Sequence, residues 1–338
     1  MTTVTRRPAL ALALALCLPA ARGIASDQAC SATTSAAFDA CLHAAEEDYL
    51  IGFGKCLNLS DTKTRKECLG DAATARDEAR NLCVAQRKVR RSVCRALGED
   101  RYDPEFVPAR FDEDFTNPPH PNRFFPLAIG NRWEYGGAES VTVEVLNKTK
   151  RIDGVTCIVS NDRVTVDGEL HEDTDDWFAQ AKNGDVFYCG EAVKDFESFE
   201  ADVPAEPELV SIQGSFKTGR DGDQPGLAFP GLLTRGRVYR QEFSLGTAED
   251  MAEILSTSYA FGSDFELDRY VPQALAQFLC AGDCVVVKEY SPLAPGAIER
   301  KFYAPGIGLF LGVHLDTGEV VQLENCSFDA RCAVLPIP

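Results

Sequence analysis

Residues 30–94 read CSATTSAAFDACLHAAEEDYLIGFGKCLNLSDTKTRKECLGDAATARDEARNLCVAQRKVRRSVC. Six cysteines punctuate this stretch: Cys30, Cys41, Cys56, Cys68, Cys83 and Cys94, with 10, 14, 11, 14 and 10 residues between them. The spacing is palindromic about residue 62. Doubling the chain back there sets Cys30 beside Cys94, Cys41 beside Cys83 and Cys56 beside Cys68. No proline interrupts residues 35–58 or 62–97, and Ala, Glu, Arg, Lys and Leu dominate them, all good helix formers. On the first arm the cysteine intervals, at about 100° per residue, keep the three thiols within about 80° of one another on one helix face. Asn58-Leu59-Ser60-Asp61-Thr62 supplies a turn, with Ser60 or Asp61 as N-cap of the second helix. An antiparallel helix pair selects the nested connectivity, because only mirror partners come within the ~4.4–6.8 Å Cα separation that a disulfide tolerates. Zinc is the rival reading. It lacks support from any Cys-x2-Cys pair, and His43 is the one histidine nearby.

Residues 1–25 read as a secretory signal. Arg6 and Arg7 precede an apolar run from Ala9 to Leu18, followed by small residues that suit cleavage. The run is too short to span a bilayer. Cys17 lies within it, preceded by Leu16 where a lipid anchor would want a small residue. The expected product is exported, periplasmic or extracellular, not membrane-spanning, and folded where thiols are oxidised.

Cleavage after Ala25 removes Arg6, Arg7 and Arg22 and moves the formal charge from −18 to about −21. Nearly all the acid excess falls beyond residue 100. Such a surface repels nucleic acid and anionic membrane alike. A local exception is the basic face Arg87-Lys88-Val89-Arg90-Arg91 with Arg95. It reads either as a solvated helix end favoured by the dipole or as a dock for the chain's own acidic half or for a protein partner.

Residues 99–123 form an irregular, proline-rich linker whose aromatics (Tyr102, Phe106, Phe111, Phe115) imply packing against something. From 124 to 338 the texture becomes that of an antiparallel β domain. Runs rich in Val, Ile, Tyr and Phe alternate with the turn dipeptides Asp153-Gly154, Asp167-Gly168, Asn183-Gly184 and Thr317-Gly318. Strands are expected near 131–136, 139–148, 155–166, 169–179, 185–190, 237–245, 250–259, 284–290, 297–304, 307–313 and 319–324. Residues 192–235 carry loop signals, and 264–279 suit a short helix. The fold class is α+β: a disulfide-stapled α-hairpin over 26–98, then a mainly antiparallel curved sheet or half-barrel. Cys280 with Cys284 and Cys326 with Cys332 are spaced to close local loops. Cys157 and Cys189 fall on strands and read equally as a cross-sheet bridge or as buried free thiols.

The β region carries the phrase Phe125-Pro126-Leu127-x-x-Gly130-Asn131-x-Trp133-x-Tyr135. Asp175-Asp176-Trp177-Phe178-Ala179 and Gly184-Asp185-Val186-Phe187-Tyr188 follow. Tyr239-Arg240-Gln241-Glu242, Ala248-Glu249-Asp250-Met251-Ala252-Glu253 and Tyr303-Ala304-Pro305-Gly306-Ile307-Gly308 come later. Over roughly 98–324 this resembles a group of uncharacterised exported bacterial proteins that also carry a cysteine-rich helical lead-in. The chain departs from the group at Cys189 and in an insertion-like stretch at 262–284. The resemblance implies a twisted antiparallel sheet or half-barrel and implies no activity.

No hydrolase elbow, metalloprotease helix, phosphate loop or dinucleotide fingerprint is present, so no catalytic residue and no cofactor is assigned. The densest polar cluster is His171-Glu172-Asp173-Thr174-Asp175-Asp176. Alternation sets Glu172, Thr174 and Asp176 on one face and His171, Asp173 and Asp175 on the other. Asp173 and Asp175, with Glu191 from the paired strand, form a candidate Ca²⁺ ligand set; the competing reading is a solvated acidic edge. Trp133, Tyr135, Trp177 and Tyr188 are candidates for a ligand groove on the concave side, against a default role as core. Two functions follow: an exported, non-catalytic binding or structural protein for a small or apolar ligand, or a metal-supported hydrolase using residues 171–176.

Overall fold

The computed structural model describes residues 28–336; the expected secretory signal lies outside them. Helix α1 (Ala29–Leu57) and helix α2 (Thr62–Leu97) run antiparallel. Asp61 caps α2, its carboxylate accepting from the Thr64 amide at 2.8 Å, and Gly98 ends it with φ 92°. The reading of the first arm began at residue 35; the helix starts at Ala29, where the Glu99 carbonyl accepts from the amides of Ala29 and Cys30.

Cys30–Cys94, Cys41–Cys83 and Cys56–Cys68 are bonded, with Cα separations of 5.6, 5.7 and 5.6 Å. Little else apolar is buried between the helices: Ala37 and Ala45 from α1 and Val93 from α2. Two helices this poor in core need covalent help, and each closed loop contributes about 2–4 kcal/mol. Leu50, Ile51, Phe53 and Leu57 remain exposed toward the far end. No helix among the described residues is long and apolar enough to cross a membrane.

The β region is built around one antiparallel sheet. Its strands are β1 (Arg132–Gly137), β2 (Ser140–Ile152), β3 (Val155–Val166), β4 (Glu169–Gln180) and β5 (Val186–Ala192). Four short strands follow: β6 (Asp195–Glu197), β7 (Glu208–Ser211), β8 (Phe216–Lys217) and β9 (Gly226–Phe229). Then come β10 (Val238–Arg240), β11 (Met251–Tyr259), helix α3 (Gln273–Leu279), β12 (Cys284–Tyr290), β13 (Ile298–Ala304), β14 (Gly308–His314) and β15 (Val320–Cys326). The pairing order is β10-β11-β12-β13-β14-β15-β1-β2-β3-β4-β5-β8, with β9 also on β5 and β6 joining β4 to β7.

Asp153-Gly154 and Asp167-Gly168 make the β2–β3 and β3–β4 turns with positive φ at both residues (43° and 83°, 53° and 86°), which matches the right-handed strand twist. The two ends of the pairing path meet at a bridge between Gln224 and Phe243. There the backbones approach so closely that a side chain on Gly226 would lie 1.6 Å from the Gln241 carbonyl oxygen.

Two apolar clusters flank the sheet. The inner one includes Ile158, Phe229, Ile254, Phe302, Phe310 and Leu311, with α3 adding Leu275. The outer one covers β2–β5 with Ile152, Val155, Val159, Trp177 and Phe187, and the linker closes it. Phe111 packs edge-on to Phe187, with ring centroids 5.4 Å apart, and Phe106 joins them. Cys157 and Cys189 are bonded within this outer cluster, linking β3 to β5 across the intervening β4. Cys280–Cys284 and Cys326–Cys332 close short loops.

One expectation changes. Residues 192–235 hold four short strands: β6 pairs with β4, β8 and β9 pair with β5, and β7 pairs with β6, through distant partners that local composition does not show. The stretch 264–279 holds its short helix at Gln273–Leu279, after Tyr270 with a φ of 65° and Pro272 before the first turn.

Candidate functional site

The concave face of the sheet encloses a cavity of about 270 Å³. Part of the lining is apolar: Phe125, Leu127, Trp133, Phe178 and Leu309. Phe178 stacks on Tyr188 with centroids 4.8 Å apart, and Trp133 is fixed by donating from Nε1 to the Ile307 carbonyl at 2.7 Å. Tyr135 donates to the Leu309 carbonyl at 3.1 Å. The backbone of β14 and the residues just before it therefore hold both indole and phenol in place.

Acidic groups share the lining. Asp162, Asp176, Glu242, Asp250 and Glu289 contribute to it, Asp176 beside Phe178 through Tyr188, and Lys301 is the cation among the lining residues. These side chains come from β3, β4, the segment after β10, β12 and β13, so the curvature of the sheet gathers them from across the sequence. Lys301 Nζ meets Glu289 Oε2 at 2.6 Å and Glu299 Oε2 at 3.3 Å. Burial opposes its ammonium form, yet Glu289 and Glu299 outweigh that and hold its pKa well above the ordinary lysine range. Gln241 and Tyr303 also donate to Glu289 Oε1, at 2.8 and 3.4 Å.

The other carboxyls lack such neutralisation. Burial, then repulsion from Glu172, pushes the Asp162 carboxyl up to about 7, and its Oδ1 is buried with no hydrogen-bond partner. Asp176 and Glu191 share the Tyr188 hydroxyl, which lies 3.1 Å from Glu191 Oε2. Burial, then Asp162 and Glu191, drives Asp176 well above the usual carboxylate range. Burial pushes Glu191 up to about 7 against the opposing hydrogen bond from Tyr188. Glu242 is raised well above its ordinary value by burial and by Asp250, and Asp250 is raised by burial. Proton exchange near neutrality is thus built into this lining.

Of the aromatics singled out in the sequence, Trp133, Tyr135 and Tyr188 line this cavity and Trp177 does not. Trp177 is on the outer face, with Lys150 Nζ 3.4 Å from its ring centroid. A register shift between Trp177 and Phe178 puts Phe178, not Trp177, opposite Tyr188.

Asp173, Asp175 and Glu191 are likewise separated. Alternation along β4 holds as expected, so Asp173 and Asp175 share a face, where Asn161 Nδ2 donates to them at 2.8 and 3.3 Å. Lys194 and Lys148 add ion pairs to Asp173 and Asp175, at 3.8 and 3.2 Å. Glu191 pairs in register with Asp176 and turns with it toward the inside. Among the described residues, no group of three or more His, Cys, Asp or Glu is arranged to hold a metal ion.

Sequence reading missed Asp162, Glu242, Asp250, Glu289 and Lys301 as a set. Their local sequence does not mark them: Lys301 follows Glu299 and Arg300 on β13, and Glu242 and Asp250 lie between strands. The basic face of α2 divides as well. Arg90 turns inward onto Glu249 through an ion pair at 2.7 Å, while Lys88, Arg91 and Arg95 stay exposed.

No family model matches the chain, and no curated protein matches it. Among solved structures, one described as an exported protein with a YmcC-like fold from Bacteroides fragilis aligns with 61% of this chain and 99% of its own. The identity is 11% and the TM-score 0.29, values at which the overlap does not establish a shared fold.

Proposed function

We propose that this chain is an exported, non-catalytic binding protein whose cavity holds a small ligand with an apolar face and a positively charged or donor-rich end. The supporting observation is the composition of the lining. Five carboxyls and a single lysine share it with Trp133, Phe125, Phe178 and Leu309, and Tyr188 joins the two sets by bonding Asp176 while stacking on Phe178. Buried carboxylates in excess are costly until a cation or a proton neutralises them. An amine-bearing ligand supplies that charge while its apolar part meets the aromatic residues. The six disulfides among the described residues support the export part of this reading, since such bridges persist where thiols are oxidised.

Native mass spectrometry of protein freshly isolated from its export compartment should find an added small-molecule mass. Asp176→Asn should lose or weaken that adduct. Consistently bare protein would count against the reading. A melting shift of many degrees with Ca²⁺ or Zn²⁺ would instead favour metal-supported hydrolysis.

A further inference from the structure

A second cavity, of about 340 Å³, lies between the hairpin and the sheet, walled by the start of α1, the end of α2, the linker and the β10–β11 region. Three arginines line it, Arg101 exposed and Arg90 and Arg240 withdrawn from solvent. Arg90, only 6% exposed, uses Nε and Nη2 on Glu249 and leaves Nη1 buried without a hydrogen-bond partner. Arg240 also lines it, packed against the contacting rings of Phe243 and Tyr102 with its central carbon 4.8 and 5.5 Å from their centroids. Aromatic faces steady the plane of a guanidinium but satisfy none of its N–H groups. Among the described residues, Arg240 Nη1 and Nη2 meet only sulfur, Met251 Sδ and Cys30 Sγ, each at 3.9 Å, and Nε meets nothing. Sulfur is a weak acceptor.

Charge tells the same story. Both oxygens of Glu249 are committed, to Arg90 and, through Oε1, to the Gly246 amide at 2.7 Å. Glu249 therefore ion-pairs with Arg90 and reaches Arg240 only as a longer-range attraction, so among the described residues Arg240 has no carboxylate within ion-pair distance. Asp100, Arg101 and Asp103 also line the cavity, but they are exposed and screened by solvent. Tyr102 donates its hydroxyl to the Pro225 carbonyl at 2.9 Å, and burial pushes its pKa up to about 12, so that wall stays neutral. Burial likewise draws the Arg240 guanidinium below its ordinary range.

We propose that this cleft binds an oxyanion, a carboxylate or phosphate group, held between the free N–H groups of Arg90 and Arg240. Planar guanidiniums with N–H pairs on offer are matched by the oxygens of either group. The anion would also join a hairpin residue to a sheet residue, so its occupancy should stiffen that junction. This site is separate from the acidic cavity and does not depend on its ligand.

The test uses the full oxidised chain. Inorganic phosphate and malonate are titrated separately, each against sodium chloride at matched ionic strength, with heat release and melting temperature as readouts. Stabilisation by phosphate alone identifies a phosphate-bearing ligand, and by malonate alone a carboxylate. Arg240→Met, which keeps the packing against the rings, should melt no lower than wild type without anion and bind the effective anion at least about tenfold more weakly. Anion protection of Arg240 against phenylglyoxal, mapped by peptide, gives a readout that needs no variant. No shift in wild type with either anion up to about 50 mM would overturn the proposal. So would an equal shift in Arg240→Met, or unprotected Arg240.

Discussion

Arg90 on α2 donates from Nε and Nη2 to the two carboxylate oxygens of Glu249 at 2.8 and 2.7 Å, with side-chain exposures of 7% and 2%. This fork joins the hairpin to the sheet. Gln86 adds a hydrogen bond from α2 to the Leu293 carbonyl at 3.1 Å.

Removing one partner strands the other charge. Arg90→Met should cost about 3–5 kcal/mol, whereas Arg90→Met with Glu249→Met should sit near wild type. Urea unfolding of the singles and the double completes the cycle. A single variant as stable as wild type would show that the fork does not anchor the hairpin.

Lys301 separates Glu289 from Glu299, which face each other in register on β12 and β13. Lys301→Met leaves two carboxylates directly opposed, and the expected loss is about 3 kcal/mol near pH 8. Adding Glu299→Gln to Lys301→Met removes one of the opposed charges, so the loss should shrink. Urea unfolding of the single and double variants checks this, and a loss that the second change does not relieve would point to packing alone.

Buried carboxyls in and beside the cavity set a pH dependence. Asp162, which lines it, and Glu191, bonded to the lining Tyr188, are raised to about 7 from ordinary values of 3.8 and 4.5. Across that window the folded state binds more protons than the unfolded chain, so stability is fully present at low pH and falls as pH rises toward and through 7. The melting temperature of ligand-free protein should therefore drop by several degrees between pH 5.5 and 8, and Asp162→Asn should flatten the slope. A cationic ligand prefers the ionised cavity, so its affinity should rise with pH over the same interval.

Much of this architecture was legible in the spacing of residues. The nested bridges follow from helix geometry and cysteine intervals alone, and the β2–β3 and β3–β4 turns follow from Asp-Gly dipeptides between alternating strands. What was hidden depends on sheet curvature and register. Asp162, Glu242 and Glu289 are more than forty residues apart along the chain and share a cavity only because the sheet bends. Trp177 looked like a groove residue, but alternation along β4 sets it on the face opposite Asp176 and Phe178. Glu191 looked like a partner for Asp173 and Asp175 for a similar reason: pairing across strands was readable, but not the side from which each carboxylate points.

The bridge between Cys157 and Cys189 spans a sheet whose neighbouring side chains are already buried. Replacing both with alanine should cost about 2–5 kcal/mol and leave the strand order unchanged. Equilibrium unfolding measures the loss, and backbone amide exchange on β3–β5 reports whether the pairing survives.

The three bridges of the hairpin are nested, each enclosing the next, around an exposed tip at 57–61. A protease that cuts this tip severs the backbone but does not release a fragment. Both arms keep migrating as one species on a non-reducing gel and part only when thiol is added. The persistence of this module is therefore governed by the local redox state and not by whether its peptide chain is continuous.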